Sequence, residues 1–347
     1  MKSILKNSYP VPTDKTWGIM DASKLKTFMT CPRKFLFEYL FGWRGNSINV
    51  DLTFGSAIHV FVEELYRVGM NEEGYESGYR EFLKIYRSEI SELDEELELK
   101  CLLKNPTSAS ILIKNYMTRY LTDKFHVHGT EIGGTVAVGE ERELCFKIDL
   151  IGQEENGNFF VLDHKTTSMQ FNDAYLNQWQ TSYQINLYLH ALGAFLLKEG
   201  YSFEDIKSFI INAMFLKSYK RRPKNKEVYV DSYGEDLLVT DFYRHEMPYN
   251  PDMIYAWLQE VNNWLDVLEH NFELLSEADI SANFLKAFPK CGNEQACTSY
   301  FRTCKFHTIC STDTNPLQLH DSNPLNMEIS FWNPLEDQPT LKKKVNL

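Results

Sequence analysis

Two carboxylates and one lysine lie on either side of a predicted turn near the middle of the chain. Asp163 and Lys165 are two positions apart at the end of a predicted strand, so both side chains point to one face of a sheet. The turn is the sequence Glu155-Asn156-Gly157-Asn158, and residue 156 is the midpoint between Asp149 and Asp163. We therefore expect the two aspartates to lie nearly opposite each other across a hairpin.

Two neighbouring carboxylates repel each other unless a cation lies between them. Their hard oxygen atoms suit Mg²⁺ or Mn²⁺. Lys165 can orient or polarise a water molecule, or neutralise charge that develops on a phosphate. This set of groups indicates metal-assisted phosphodiester hydrolysis. The alternative is a surface hairpin with an ordinary Asp–Lys ion pair.

The hairpin must have a particular register for this site to form. A two-residue Asn156-Gly157 turn pairs residues whose numbers sum to 313, whereas 149 + 163 = 312. A shift of one residue moves a side chain to the other face of the sheet. We therefore predict a loop of three or five residues, or a bulge next to the site.

Two predicted helices carry further polar groups at helical spacing. His59 and Glu63 are four positions apart and share a helix face, where an imidazole can complete a site that accepts Mn²⁺ alongside Mg²⁺. The alternative is a histidine packed in the core. A second helix carries a stripe of amide and phenol side chains, Gln180, Gln184 and Tyr188. These groups can hold Lys165 or a phosphate. The alternative is that they are only the polar, exposed side of that helix.

The chain has seven cysteines, an odd number, and we identify no export signal at its start. A disulfide framework is therefore disfavoured, and we expect a cytoplasmic protein. Four thiols fall within twenty residues, at Cys291, Cys297, Cys304 and Cys310, whereas Cys31, Cys101 and Cys145 are scattered. Clustered thiols indicate a metal site, either tetrahedral zinc or an iron–sulfur cluster. The fourth ligand is either the neighbouring Cys291 or the distant Cys31.

Composition excludes several classes of protein. With 347 residues and 43% hydrophobic side chains, the chain is neither disordered nor fibrous, and it has no apolar run long enough for a membrane span. Its formal net charge of −12 disfavours a nucleic-acid binder with a basic coat. One local basic run is a candidate DNA-backbone contact, or else a solvated turn: Lys217, Lys220, Arg221, Arg222, Lys224 and Lys226.

The order of predicted elements favours an α/β (α+β) fold. Helices are predicted up to about residue 125, strands from about residue 133, a helix over 176–197 and another over 251–275. Further strands are predicted at 207–216 and 227–231. The tail after Cys310 contains three Asn-Pro-Leu turns and several apolar residues, so we expect it to pack on the body or on a partner.

Four motifs in this order resemble the RecB-like branch of the PD-(D/E)XK nuclease superfamily. They are Phe54-Gly55-Ser56-Ala57-Ile58-His59, Lys147-Ile148-Asp149-Leu150-Ile151, Asp163-His164-Lys165 and Gln184-Ile185-Asn186-Leu187-Tyr188. The resemblance covers residues 20–311. It implies a restriction-endonuclease-like core, with a small mixed sheet flanked by helices. It also implies a nuclease domain at 1–311 and a separate tail at 312–347.

The resemblance is closest to the exonuclease V-like members that carry a cysteine-ligated 4Fe-4S cluster. It implies an iron–sulfur cluster rather than zinc, which would staple the N- and C-terminal segments together through Cys31, Cys297, Cys304 and Cys310. The sequence departs from the family at position 301, where phenylalanine stands in place of a cysteine. The second ligand is therefore less well defined, and Cys291 remains an alternative to Cys31.

The function implied is that of a metal-dependent DNA nuclease, an exonuclease acting on single strands or DNA ends in recombination, repair or replication. A helicase or other recombination protein would be a partner. His59, Asp149, Asp163 and the His164 carbonyl would bind the metal, Lys165 would position water, and Gln184 and Tyr188 would assist. The alternatives are an inactive nuclease-fold subunit for DNA binding or assembly, with a structural zinc or iron–sulfur site, and a zinc-stapled interaction protein.

Overall fold

The computed structural model describes residues 4, 8–45, 49–90, 103–219, 237–277, 284–292, 296–299, 302–312, 327–335 and 345–346. Its α-helices are α1 (Ala22–Thr30), α2 (Pro32–Phe35), α3 (Val50–Val68), α4 (Glu72–Glu89), α5 (Pro106–Tyr120), α6 (Asp173–Asn177), α7 (Tyr183–Lys198), α8 (Pro251–Ser276), α9 (Phe284–Ala287) and α10 (His307–Thr312). Its strands are β1 (Trp43–Gly45), β2 (Phe125–Gly139), β3 (Arg142–Glu154), β4 (Phe159–Thr167), β5 (Ile206–Tyr219), β6 (Leu237–Pro248), β7 (Thr298–Ser299), β8 (Arg302–Thr303), β9 (Met327–Ile329) and β10 (Val345–Asn346).

A mixed sheet in the order β10-β2-β3-β4-β5-β6 forms the centre of the molecule. The pairs β4–β5 and β10–β2 are parallel, and the other neighbours are antiparallel. The prediction of an α/β fold with a mixed sheet is thereby confirmed, and the arrangement is consistent with a restriction-endonuclease-like fold.

The two faces of the sheet pack against different helices. One face carries Val161 and Phe209, which pack with α1, α7 and α8 in the larger core. The other face carries Leu150 and Leu162, and α3, α4 and α5 cover this side of the molecule. Because side chains alternate along a strand, residues of odd number on β4 face α7 and residues of even number face α3.

The hairpin between β3 and β4 has the register that the aspartates require. Gln153 pairs with Phe159 and Leu150 with Leu162, so paired residue numbers sum to 312. The Glu154 N–H also donates to the Asn158 carbonyl, which leaves a loop of three residues. Gly157 has φ +94° in this loop, a conformation that glycine adopts without strain. The prediction of a three- or five-residue loop, or a bulge, is therefore confirmed.

Several boundaries differ from the sequence prediction. The first long strand begins at Phe125 rather than near residue 133, and the helix predicted over 176–197 is interrupted between α6 and α7. Strand β6 was not predicted, because its charged and aromatic residues conceal its alternation. The strand predicted at 227–231 lies outside the described residues.

The described parts of the tail pack on the body. Strand β9 pairs with β1, and the Ser330 N–H donates to the Gly42 carbonyl. The Trp332 indole donates to Asp21 over 3.3 Å, and β10 adds a parallel strand beside β2. Packing on the body is thus confirmed for residues 327–335 and 345–346. Among the described residues, no helix is long and apolar enough to cross a bilayer.

Candidate active site

Strands β3 and β4 separate at the candidate site. The last pair of residues on the site side is Leu150 and Leu162. Asp149 and Asp163 are the next residues along the two strands, beyond the end of this pairing. Beyond that point the His164 backbone N–H donates to Asp149 Oδ2 over 2.8 Å, so this carboxylate bridges the gap between the strands. His59 on α3 approaches the same oxygen through Nδ1 at 3.2 Å. The structure therefore brings His59, Asp149 and Asp163 to one place.

Asp163 and Lys165 form an ion pair beside this gap. Lys165 Nζ lies 2.5 Å from Asp163 Oδ2. Asp163 is 1% exposed, and within the described part of the chain Lys165 is the only group that the structure places against its Oδ2. A buried carboxylate oxygen with spare capacity is available to a cation or a donor.

Burial and neighbouring charges shift the pKa values of Asp149, Asp163 and Lys165. Burial would raise the pKa of Asp149, but His59 and Lys165 hold it well below its ordinary range. Burial raises the pKa of Asp163, Lys165 opposes the rise, and the charge on Asp149 adds to it. Burial would lower the pKa of Lys165, but the two aspartates raise it. Lys165 is therefore a cation at neutral pH, held between two carboxyl groups.

A second carboxyl pair adjoins the site on the α3 side, and sequence reasoning missed one of its members. Glu131 on β2 forms an ion pair with Lys147 and feels the charge of Asp149. Burial and the charge of Glu131 raise the pKa of Glu63 to about 7. Glu131 has φ +49°, which marks an irregular point in the strand that no sequence motif indicated.

The His164 ring lies on the opposite face of β4, within a buried hydrogen-bond network. Asn212 Nδ2 donates to His164 Nδ1 and to the Tyr116 hydroxyl, both over 2.8 Å. Burial lowers the pKa of His164 to about 3, so the ring is neutral, Nδ1 accepts and the proton resides on Nε2. Tyr66 stacks on this ring with centroids 5.9 Å apart. The imidazole is thus a positioning group rather than a metal ligand, and only the carbonyl of His164 remains as a candidate ligand.

Arg244 on β6 anchors the far end of this network. Its Nη2 atom donates to Asp123 over 2.6 Å and to the Tyr66 hydroxyl over 3.3 Å, and its Nε donates to Asn212 over 3.4 Å. The Tyr66 and Tyr116 hydroxyls are 2.7 Å apart. Because Asn212 uses both N–H groups and its carbonyl, the orientation of its amide is determined.

The glutamine and tyrosine of the amide stripe lie on the opposite side of the site from α3. Gln184 Nε2 donates to the Tyr188 hydroxyl over 3.0 Å. Burial raises the pKa of Tyr188 well above 10, and the charges of Asp163 and Asp149 add to this effect. Tyr188 therefore lies close to both carboxylates. Gln180 is exposed, outside both α6 and α7.

The donor atoms suit a divalent cation, although they are not arranged as a finished metal site. Within the described ranges, no three His, Cys, Asp or Glu side chains are grouped closely enough to hold an ion. However, Asp163 has a buried oxygen beside Lys165, and two carboxylates and an imidazole are ligands that Mg²⁺ or Mn²⁺ accepts. His59 Nδ1 faces Asp149, so Nε2 is the nitrogen available to a metal.

The thiols at the two ends of the chain approach each other. Burial raises the pKa of Cys310, Arg33 and Lys290 oppose the rise, and Cys31 and Cys304 add to it, so these three thiols are neighbours. The Cys304 N–H donates to the Cys297 carbonyl over 2.8 Å, which brings the backbones of these two cysteines together. Their side chains are not within metal-ligand geometry.

The remaining cysteines and the basic run lie apart from this group of thiols or outside the described residues. Cys145 is buried, and burial raises its pKa to about 12, as expected for an ordinary core thiol. Cys101 is not among the described residues. Of the basic run, Lys217 is at the end of β5, whereas Lys220, Arg221 and Arg222 lie outside the described residues.

Comparison with known proteins identifies the family. A search of curated proteins found no match. Among solved structures, the chain is similar to one titled "Crystal structure of SSO0001", with 15% identity over 70% of this chain and 84% of that chain. The TM-score is 0.24, and we infer nothing further from that likeness. The sequence model of the PD-(D/E)XK nuclease superfamily matches residues 20–311. The chain belongs to the PD-(D/E)XK nuclease superfamily.

Proposed function

We propose that this protein is a metal-dependent DNA nuclease whose active site is the gap between β3 and β4. The observation that carries the proposal is the placement of Asp149, Asp163 and Lys165. Asp149 bridges the gap, Asp163 is buried in an ion pair with Lys165, and that lysine is cationic. These are the groups that hydrolysis of a phosphodiester needs.

Each side chain then has a distinct task. Asp149, Asp163 and His59 would hold Mg²⁺ or Mn²⁺, with the His164 carbonyl as a further ligand. The bound ion would supply a Lewis acid and lower the pKa of a coordinated water. Lys165 would donate to the attacking water or to a phosphate oxygen, because its ammonium lies beside the Asp163 carboxylate that would hold the metal. Gln184 and Tyr188, which are hydrogen-bonded to each other beside the carboxylates, would help to position these groups.

The finer proposal is an exonuclease V-like, RecB-like enzyme that digests single strands or DNA ends. Two features support it: the order of the four motifs, and the approach of Cys31 to Cys304 and Cys310. We propose that Cys31, Cys297, Cys304 and Cys310 ligate a 4Fe-4S cluster that staples residues 1–311 into one nuclease domain, with 312–347 as a tail. DNA would be the substrate, a helicase could deliver it, and Lys217, Lys220, Arg221 and Arg222 would contact its backbone.

The test compares wild type, Asp163→Ala and Lys165→Ala on one end-labelled DNA in Mn²⁺. We expect both variants to lose several orders of magnitude in cleavage rate while they retain DNA binding. Ca²⁺ should support binding without cleavage, because it activates water poorly. Lys207→Ala is the matched control, since Lys207 forms ion pairs with Glu154 and Glu246 on the same sheet but away from the site.

Equal digestion by all four proteins would contradict the proposal and indicate a contaminating nuclease. If wild type binds DNA but none of the proteins cleaves it in Mn²⁺ or Mg²⁺, the chain is an inactive nuclease-fold subunit. The pattern of end-label release distinguishes an exonuclease, which releases mononucleotides or short products from an end, from an endonuclease.

A further inference from the structure

The register of the sheet extends the candidate site toward β6. Lys165 pairs with Ala213, and Ala213 pairs with Tyr243, so these three residues form one row across β4, β5 and β6. Neighbouring strands are about 4.8 Å apart, so Tyr243 is displaced from Lys165 by about 10 Å. Both side chains are on the face of the sheet that carries Asp163. The middle residue, Ala213, is small and only 1% exposed, so larger side chains cover the sheet between the two.

Aromatic side chains fill the surface between Lys165 and Tyr243. Lys165 Nζ lies 6.0 Å from the centre of the Trp179 ring. From there, ring centroids follow at 6.0 Å to Tyr175, 5.7 Å to Phe171 and 5.7 Å to Tyr243. A fifth ring, His245, stacks beside Tyr243 at 6.4 Å with an interplanar angle of 23°. We call these five residues the aromatic row.

The aromatic row is open to solvent at several points. Tyr243 is 42% exposed, Phe171 and Trp179 are half-buried, and only Tyr175 is fully covered. Rings that served the core alone would be covered, as Phe209 and Tyr116 are. Tyr243, and the uncovered parts of Phe171 and Trp179, are therefore available to a flat ligand.

We infer that the aromatic row is a base-stacking track for the unpaired bases of a single-stranded nucleic acid whose backbone enters the site at Lys165. This inference rests on the proposed nuclease function and names its substrate class. Aromatic side chains stack on bases of any sequence, but only unpaired bases present their faces to a protein. The row begins at the catalytic lysine, so one strand can place a phosphate at the cation and its neighbouring bases on the rings. An apolar protein partner would not need that continuity.

Binding is measured by fluorescence anisotropy with the metal-free protein in EDTA, so that no cleavage occurs. The probes are a labelled single-stranded DNA, an RNA of the same sequence and a blunt DNA duplex. Tyr243→Leu and Phe171→Leu keep an apolar side chain but remove the ring. We expect each to weaken single-strand affinity by about 5- to 100-fold, and duplex affinity by much less. Tyr243→Phe, which keeps the ring, should bind like wild type.

Tyr255→Leu is the matched control, because Tyr255 is an exposed tyrosine on α8, is 66% exposed and lies outside the row. Circular dichroism verifies that each variant is folded. If Tyr243→Leu is not folded, Phe171→Ala replaces it, and if Phe171→Leu is not folded, Tyr243→Ala replaces it. Three results would overturn the inference. Both ring variants could bind single strands as tightly as wild type does, they could lose as much affinity for the duplex as for single strands, or wild type could fail to bind single strands. Equal affinity for DNA and RNA supports a base track, and a preference for either assigns the substrate.

The two proposals fail separately. If wild type does not cleave in Mn²⁺ but its single-strand affinity depends on Tyr243 and Phe171, the track stands and the nuclease proposal falls. If cleavage depends on Asp163 and Lys165 while the ring variants bind like wild type, the nuclease stands and the track falls.

Discussion

Glu63 and Glu64 are neighbours on α3 whose carboxyl groups are shifted in opposite directions. Burial and Glu131 raise the pKa of Glu63 from 4.5 to about 7. Hydrogen bonding to Arg67 lowers the pKa of Glu64, with Ser77 as a second donor. A raised carboxyl pKa means that ionisation costs stability as pH rises from 4.5 to 7, whereas a lowered one means that ionisation adds stability above 4.5. Glu63→Gln should therefore stabilise the protein at pH 8, and Glu64→Gln should destabilise it.

The size of the first effect follows from the shift. The difference between 4.5 and about 7 corresponds to at most about 3.4 kcal/mol. Glu63 is only half-buried, and solvent screening reduces this to about 1–2 kcal/mol. With an unfolding entropy of about 2.1 cal/mol/K per residue, the melting temperature should rise by about 2 °C. Below pH 4.5 the carboxyl is protonated in both states, and the gain should disappear.

The assay is thermal unfolding by circular dichroism in EDTA, at pH 8 and pH 4, for wild type and both variants. The residues are adjacent on one helix, so helix propensity and chain entropy are matched. The same shift at both pH values for Glu63→Gln, or stabilisation by both variants at pH 8, would refute the electrostatic account of the Glu63–Glu131 pair.

Three further outcomes follow from the geometry. Asn212→Leu should lower the free energy of unfolding by about 2–4 kcal/mol, because it leaves several buried partners of a fully used amide unpaired, and an unchanged urea midpoint would contradict the network. Gly157→Ala should cost about 1–2 kcal/mol through its left-handed φ alone, since an added Cβ meets no atom within 4 Å; a stabilised hairpin would be the contrary result. Anaerobically purified protein should contain about four iron atoms and a matching amount of sulfide per chain. Cys310→Ala should lose this iron and Cys291→Ala should keep it. One stoichiometric zinc ion in place of iron would contradict the cluster.

The hairpin and its register were predictable because they depend on local chemistry. The turn sequence, the positions of Asp149 and Asp163 and the alternation of strand side chains together require a paired sum of 312, which the structure shows. The long amphipathic helices α3 and α8 were predicted for the same reason, since their periodicity is contained within each segment.

The network behind His164 could not be predicted, because it depends on contacts between distant segments. Asn212, Tyr116 and Arg244 belong to three different elements, and no spacing in the sequence relates them. Strand β6 contains residues that favour strands, Val239, Phe242 and Tyr243. The charged residues of this strand interrupt the alternation of apolar and polar positions that indicates a strand. Glu131 was missed because the strand was predicted to begin only at about residue 133, two residues after it.

The pairing of β9 with β1 has a consequence for synthesis of the chain. Arg44 donates to the Ser330 carbonyl across 286 positions, so this contact joins the first helices to a segment made much later. Until residues 327–329 have been synthesised, the Trp43–Gly45 strand lacks the strand with which it pairs in the folded protein. Contacts of such long range are slow to form, because the intervening chain must be ordered first. The β1–β9 sheet would therefore form late in folding, after the elements that its two strands join.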